Sequence, residues 1–434
     1  MTFTGHDALM VGLVLTAMIS LLVAAGKLSV YYGIAPETKR KIVHVLTGLI
    51  SLSFPWLFSS PLPILVMIVV ALVTMATLRS PLANNTAMSS VLHDVQRRSY
   101  GEFYILISIG FLSLSSGNPV LYILPLTVIA LSDTASALIG TKYGKKRLML
   151  FEGEKTIEGS AAFFIVTLLI SLILLMLLTE IADINLLLLS LIVAVFCTFI
   201  ESDSWKGLDN LFVPVGAHIM LVQLFNATPD MLVLAFILIV TAIILMHKSA
   251  PALNLTTRTA RAYTLLIILF VVVRPNAQLV FPFMALAAYL LSHRVKPNPV
   301  SNGHFEMIAA TAVVAMLWMF ADVLVPESAI DLFNLTFASV AVVIAGVSFS
   351  RTWRWLTLPF AVFIAGIYVY MTSFNLNGTM WVKNPAILAG IAMGLMLISV
   401  FAKPDLFTHY RSVKSYALAL ITPVACFIYT GILT

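Results

Sequence analysis

Charge is what this sequence has least of. Only 10% of its 434 residues are Asp, Glu, Lys or Arg, against 60% that are hydrophobic, whereas a soluble globular chain carries about 25% charged residues. That supply cannot cover a water-exposed surface, which excludes a soluble enzyme or binding domain. Cysteine is scarce as well. Cys197 and Cys426 both lie in apolar runs, so a disulfide framework and a zinc site are excluded, and the two read as small buried hydrophobes. The apolar/polar alternation of barrel strands is missing, and no internal repeat links the two halves.

What is present is a succession of apolar stretches of about 17 to 25 residues, the length that crosses a hydrocarbon core as a helix. Backbone groups in lipid must be bonded within their own segment, so these stretches are helical. The expected fold is an all-α polytopic integral membrane protein of about 14–16 transmembrane helices. They fall near 8–30, 42–58, 62–79, 103–116, 119–141, 159–179, 185–200, 211–226, 230–247, 262–274, 277–292, 305–325, 329–349, 353–373, 385–402 and 414–433. The short 103–116 segment and the pair flanking Arg274-Pro275-Asn276 are candidates for re-entrant or half-crossing segments. The first run begins near Ala8, contains Lys27 and has no small-residue cleavage site before the polar stretch, so it reads as a retained helix.

The net charge of +6 does not point to nucleic acid, because the basic residues are scattered over short loops. With the N-terminus outside, one side receives Lys39 to Lys41, Arg97-Arg98, Lys142, Lys145 to Arg147, Lys155, Lys206, Lys248, Arg258, Arg261, Arg294, Lys296, Arg351, Arg354, Lys403, Arg411 and Lys414. The opposite loops receive only Arg274 and Lys383. The excess of Lys and Arg marks the first side as cytoplasmic. Residues able to do chemistry concentrate before about residue 215, and a polar turn at Asn226-Ala227-Thr228-Pro229 suggests two regions, 1–228 and 229–434. In the second region Trp353, Trp355 and the neighbouring arginines suit interface anchoring and nothing more specific.

Four clusters carry candidate chemistry. Asp133 stands near the cytoplasmic end of an apolar helix, with Ala137 and Gly140 on the same face. An ionisable group within a membrane segment costs about 2.5–3.5 kcal/mol on insertion scales and is a functional candidate by default, the plainer reading being a snorkelling or capping acid. Lys155-Thr156-Ile157-Glu158-Gly159 precedes the next helix. There Thr156 is an N-cap candidate, the helix terminus attracts phosphate, and Lys155 adds a point charge. Topology alone accounts for Lys142, Lys145, Lys146 and Arg147. Glu201, Asp203, Asp209 and Asn210 follow a further helix on the same side. Their hard oxygens suit Mg²⁺ beside substrate phosphates, or else form a solvated acidic loop. Upstream, Lys41, His44 and Gly48 share a helical face at the same edge, where a lone His is as readily an ordinary helix-end residue. Arg97-Arg98-Ser99-Tyr100-Gly101-Glu102 suits phosphate contacts or membrane-surface anchoring equally.

Taken in order, these pieces resemble the CTP-dependent polyprenol kinase family, which includes dolichol and phytol kinases and the CTP-using diacylglycerol kinase. The matching positions are Arg40-Lys41-x-x-His44-x-x-x-Gly48, Asp133-x-x-x-Ala137-x-x-Gly140-x-x-x-Gly144-Lys145, Lys155-Thr156-x-Glu158-Gly159, and Glu201 with Asp209-Asn210-x-x-x-Pro214, all within 38–216. The resemblance implies phosphoryl transfer from CTP to the hydroxyl of a lipid alcohol, with Arg40, Lys41, Gly140, Lys145, Lys155, Thr156, Glu158, Gly159 and Asn210 around the nucleotide. It implies Mg²⁺ held by Asp133, Glu201 and Asp209, and catalytic roles for Asp133, Lys155 and His44, the proton acceptor being Asp133 or His44. The phosphatidate cytidylyltransferases are similar from Asp133 to Gly159. Their later region carries Lys-Arg after the Glu-Ser pair, Lys-Asp, and Gly-His-Gly-Gly followed by acids. Here Glu201-Ser202 is followed by Asp-Ser-Trp-Lys, then Leu208-Asp209-Asn210 and Pro214-Val-Gly-Ala-His218. That departure, with Lys41 and His44, favours the kinases. A membrane transporter is the non-enzyme alternative, supported by the helix number and the interrupted pair around Pro275.

Overall fold

A computed structural model describes residues 3–34, 36–79, 100–115, 117–149, 154–204, 207–273, 279–295, 303–324, 326–374 and 384–433. Arg97-Arg98, Lys206, Arg274 to Asn276, Lys383 and the stretch from Phe151 to Gly153 lie outside the described residues. The chain is an all-α polytopic membrane protein. Among the described residues nine helices are long and apolar enough to cross a membrane, accompanied by seven shorter apolar helices. Each apolar stretch read from the sequence coincides with one of these segments.

Lipid is the surrounding that makes sense of the outer faces. Leu9, Leu13 and Ile19 on the helix Gly5–Tyr32, and Ile165, Leu169, Ile173 and Met176 on the helix Ile157–Leu178, are exposed in rows. A protein in water rarely exposes contiguous apolar surface on that scale.

The chain divides into two compact units, Met1–Ile239 and Val240–Thr434. The first contains α1 (Gly5–Tyr32), α2 (Pro36–Leu52), α3 (Phe54–Leu57), α4 (Pro61–Arg79), α5 (Gly101–Ser115) and α6 (Pro119–Thr127). A π-helical turn, Val128–Ser132, joins α6 to α7 (Asp133–Tyr143). A two-stranded antiparallel hairpin follows, β1 (Arg147–Met149) with β2 (Glu154–Thr156). Then come α8 (Ile157–Leu178), α9 (Asp183–Asp203) and α10 (Asp209–Leu224), and α11 (Pro229–Ser249) carries the chain across the boundary after Ile239.

Local chemistry sets several ends. Thr4 and Asp7 form a capping box at the start of α1, and Gly33 closes that helix at φ 60°, the left-handed region that favours glycine. Asn118 caps α6 through the Val120 amide, with Pro119 at the first helical position, where no amide is needed. Thr156 Oγ1 accepts from the Gly159 amide at 3.1 Å and starts α8.

Three prolines register the helices against each other. Proline has no amide hydrogen, so a proline in a helical path frees the carbonyl four residues back. Pro55 frees Ser51, Pro125 frees Leu121, and Pro214 frees Asn210. A side chain from another helix serves each of these carbonyls. Tyr122 Oη donates to Ser51 at 3.0 Å, His218 Nδ1 to Leu121 at 2.8 Å, and Ser108 Oγ to Asn210 at 2.8 Å. A carbonyl only accepts, so Nδ1 of His218 carries the proton. These bonds tie α5 to α10, α10 to α6, and α6 to α2.

The second unit contains α12 (Thr257–Val273), α13 (Val280–Val295), α14 (Gly303–Leu324), α15 (Pro326–Ser348), α16 (Thr357–Ser373), α17 (Pro385–Ala402) and α18 (Arg411–Leu433). Its core is α15, buried along most of its length, with Leu332, Leu335, Phe337 and Val340 to Ile344 fully enclosed. A helix buried on every side is a central one, and its neighbours wrap it.

His218→Leu leaves the Leu121 carbonyl buried and unserved, a loss of about 1–3 kcal/mol. Pro125→Ala supplies a backbone amide to that carbonyl. The double variant Pro125→Ala/His218→Leu is therefore expected to melt higher than His218→Leu alone, as measured by thermal unfolding in detergent. Simple additivity would refute the proline account.

Candidate active site

The clusters that lie far apart in sequence meet in the first unit. Gly48 of α2 packs against the π-turn so closely that a Cβ there would stand 2.9 Å from that of Ala130. This contact brings the Lys41/His44 face of α2 to Asp133, and the Lys41 ammonium donates to Asp133 Oδ2. Asp133 also interacts electrostatically with His44 and Lys155. The π-turn adds one residue to the helical path just before Asp133, and such turns are frequent at functional sites. Thr167 of α8 donates to Ser132 Oγ at 3.0 Å and holds the turn from its other side.

Lys155 is delivered by the hairpin. In its register Leu148 lies opposite Lys155 and Arg147 opposite Thr156, and the Ile157 amide bonds the Lys146 carbonyl at 3.0 Å where the strands end. The Lys155 ammonium is 2.7 Å from Glu201 Oε1 and 3.8 Å from Asp209 Oδ2, and it also donates to the Glu201 carbonyl. Burial pushes this ammonium's pKa down, but the Glu201 and Asp209 carboxylates outweigh burial and hold it above the ordinary lysine value. Ser136 Oγ lies 3.3 Å from the same Glu201 Oε1. Both side-chain donors thus converge on one oxygen. Glu201 Oε2 and, nearby in sequence, Asn210 Oδ1 are buried with no hydrogen-bond partner among the described residues.

Close packing of α7 on the hairpin and α8 depends on glycine. A Cβ on Gly140 would meet Thr156 Oγ1 at 2.9 Å, one on Gly144 would meet Thr156 Cγ2 at 2.4 Å, and one on Gly159 would meet the Ser136 carbonyl at 2.9 Å. The small-residue face that α7 carries beside Asp133 therefore admits a neighbouring segment at Gly140. Glu158 reaches the Lys146 amide at 3.4 Å with either oxygen, which closes the base of the hairpin.

Lys41, His44, Asp133, Lys155, Glu201 and Asp209 thus form one electrostatic constellation, with Asn210 at its edge. Lys145 is exposed beside the hairpin, and the side chain of Arg40 lies outside the described residues. Sequence reasoning passed over Ser136, because a serine within a helix carries no signal of what it will face.

Among the described residues no three His, Cys, Asp or Glu side chains are grouped as a complete metal centre. Mg²⁺ does not require one, since it is commonly held by one or two carboxylates together with substrate phosphates. The bare Glu201 Oε2 and Asn210 Oδ1 are oxygens of the right kind.

Over 189 residues the chain is 29% identical to a phytol kinase of Synechocystis sp., a match covering 42% of this chain and 78% of that protein. Over that stretch the chain is similar to a lipid-alcohol kinase. No protein-family model and no solved structure matches the chain. The matched length is close to that of the motif-bearing stretch 38–216, which contains every residue of the constellation.

Lys155→Ala leaves Glu201 buried and uncompensated, and is expected to lower unfolding stability by about 3–5 kcal/mol. Adding Glu201→Gln should recover most of that loss. Because the folded pKa of Lys155 is raised, its contribution is full below the unfolded lysine value of about 10.4 and is lost as pH rises through the folded one. Chemical unfolding of parent and double variant across neutral and alkaline pH checks both points. Gly144→Ala should cost about 1–3 kcal/mol through the clash with Thr156.

Proposed function

We propose that the first unit is a membrane kinase that transfers the γ-phosphate of CTP to the hydroxyl of a lipid alcohol. The acceptor is an isoprenoid alcohol of the polyprenol, dolichol or phytol type, or diacylglycerol, and the site faces the cytoplasm. The observation that carries this reading is the placement of Lys155 against Glu201 and Asp209, alongside the Lys41–Asp133 pair, in a chain of lipid-alcohol kinase ancestry.

Phosphoryl transfer asks a protein mainly for positioning and charge stabilisation. Lys155 supplies a cation for the phosphates, and the start of α8 adds the positive end of a helix dipole. Glu201, Asp209 and Asn210, with Asp133 across from them, are the residues that would hold Mg²⁺. When bound, the ion neutralises charge on the β- and γ-phosphates. Asp133 and His44 interact electrostatically, and one or the other, a carboxylate oxygen or an imidazole nitrogen, takes the alcohol proton. The alcohol oxygen forms its bond to the γ-phosphorus as the bond to the β-phosphate oxygen breaks, and CDP departs. Lys41 keeps Asp133 oriented and ionised. The lipid tail lies between helices while its hydroxyl reaches the layer where these groups meet, so the acceptor never has to leave the bilayer.

Purified full-length protein, Mg²⁺ and CTP labelled either in the γ-phosphate or in cytidine, offered to a panel of prenols and diacylglycerol, test the proposal. Label from the γ-phosphate should appear in lipid and label from cytidine should not. The reverse outcome identifies a cytidylyltransferase. Asp133→Asn should reduce transfer at least 100-fold, the scale for loss of a general base, while near-parental activity removes Asp133 from the site.

A further inference from the structure

A serine or threonine inside a helix commonly returns its hydroxyl to a carbonyl three or four residues back. Two residues of α7 do so. Thr134 Oγ1 donates to the Ala130 carbonyl and Thr141 Oγ1 to the Ala137 carbonyl, each at 2.8 Å. Ser136, between them, is directed instead to Glu201 Oε1, 65 residues on and 3.3 Å away. Both residues are buried, and an ionised carboxylate only accepts, so the serine hydroxyl donates. The backbone of Ser136 is held too, because Gly159 packs on its carbonyl so closely that a Cβ there would stand 2.9 Å from the oxygen. Ser136 lies three residues after Asp133, on the same face of α7. One helix therefore carries both Asp133 and the hydroxyl that meets Glu201.

Glu201 Oε1 has two side-chain donors, Lys155 at 2.7 Å and Ser136. Glu201 Oε2 has no hydrogen-bond partner among the described residues. In the proposed reaction Lys155 is the cation for the phosphates, so it has to give up part of its hold on Oε1 to reach them. Ser136 has no second task. We propose that Ser136 is a positioning residue whose hydroxyl keeps hold of Glu201 Oε1 when Lys155 turns to the nucleotide, leaving Oε2 for a divalent ion. Without it, the turn of Lys155 would strip both carboxylate oxygens of side-chain donors in a buried place, and nothing would distinguish one oxygen from the other. Ser136 acts through Glu201. The inference rests on the kinase reading above and gives a role to a residue outside the motifs that suggested it.

Mn²⁺, which like Mg²⁺ favours octahedral oxygen ligands, reports on this role without turnover. The ion is titrated into the full-length protein in detergent with CTP and no lipid alcohol, free Mn²⁺ is read by electron paramagnetic resonance, and binding to CTP alone is subtracted. Ser136→Ala should raise half-saturation about 3- to 10-fold, the scale of one hydrogen bond, and Ser136→Thr, which keeps a hydroxyl, should lie closer to the parent. In EDTA without nucleotide Lys155 still serves Oε1, so the thermal midpoint of Ser136→Ala should stay near that of the parent. Unchanged half-saturation in Ser136→Ala overturns the proposal and leaves the kinase reading standing, and a lowered midpoint alongside it assigns Ser136 to packing. A shift that Ser136→Thr reproduces in full also overturns it, because the hydroxyl is then not what matters. Absence of protein-dependent Mn²⁺ binding in the parent overturns the kinase reading together with the proposal.

Discussion

The first unit is organised by the need to pair charge where water is scarce. Lys155 is held against Glu201 and Asp209, and Lys41 against Asp133. Isolated, any of these groups would be costly in the membrane, so each determines where its partner's helix can lie. The partners are supplied by α2, α7, β2, α9 and α10, and these constraints fix the depth at which those elements meet. The candidate site and the structural restraint are therefore the same set of atoms. Removing a member changes both.

Backbone accounting supplies the second restraint. Lipid offers no hydrogen bonds, so a carbonyl freed by proline must find a donor inside the protein. Tyr122, His218 and Ser108 meet that demand on α2, α6 and α10. Proline here does more than bend a helix, because it creates a directional acceptor that only one neighbouring side chain can reach. The bond to Asn210 lies next to Asp209, and the bond to Leu121 lies upstream of the π-turn before Asp133. Helix registration and site geometry are linked through these two places.

The helices were legible in the sequence because a span of lipid imposes a length and an apolar composition that nothing else in the chain imitates. The candidates Lys41, Asp133, Lys155, Glu201 and Asp209 were legible as charged residues near the ends of apolar runs. Their pairing was not. Lys41 and Asp133 are separated by 92 residues, and no local pattern encodes which carboxylate a lysine will meet. The hairpin was invisible for another reason: strands of three residues have too little periodicity to read, and a loop containing Lys145, Lys146 and Arg147 looks like ordinary topology. The missing side chains of Gly140 and Gly159 accommodate Thr156 and Ser136. A glycine records that something comes close without recording what it is.

Charge counting also bears on how the proposed reaction begins. Two lysines face three carboxylates, so the constellation carries about one net negative charge with His44 neutral. A bare triphosphate would approach that surface against repulsion. A divalent cation on the triphosphate would offset that repulsion at the unserved oxygens of Glu201 and Asn210, and Lys155 would then be able to turn from a carboxylate to a phosphate. Lys155 is suited to that exchange because it stands on a short hairpin strand and not inside a helix, and its ammonium is shared between two acids. Asp133 is held differently, on a helix locked by the π-turn and by Lys41. In the proposed reaction the cation for the phosphates would thus come from a short strand, and the carboxylate beside Lys41 from a helix.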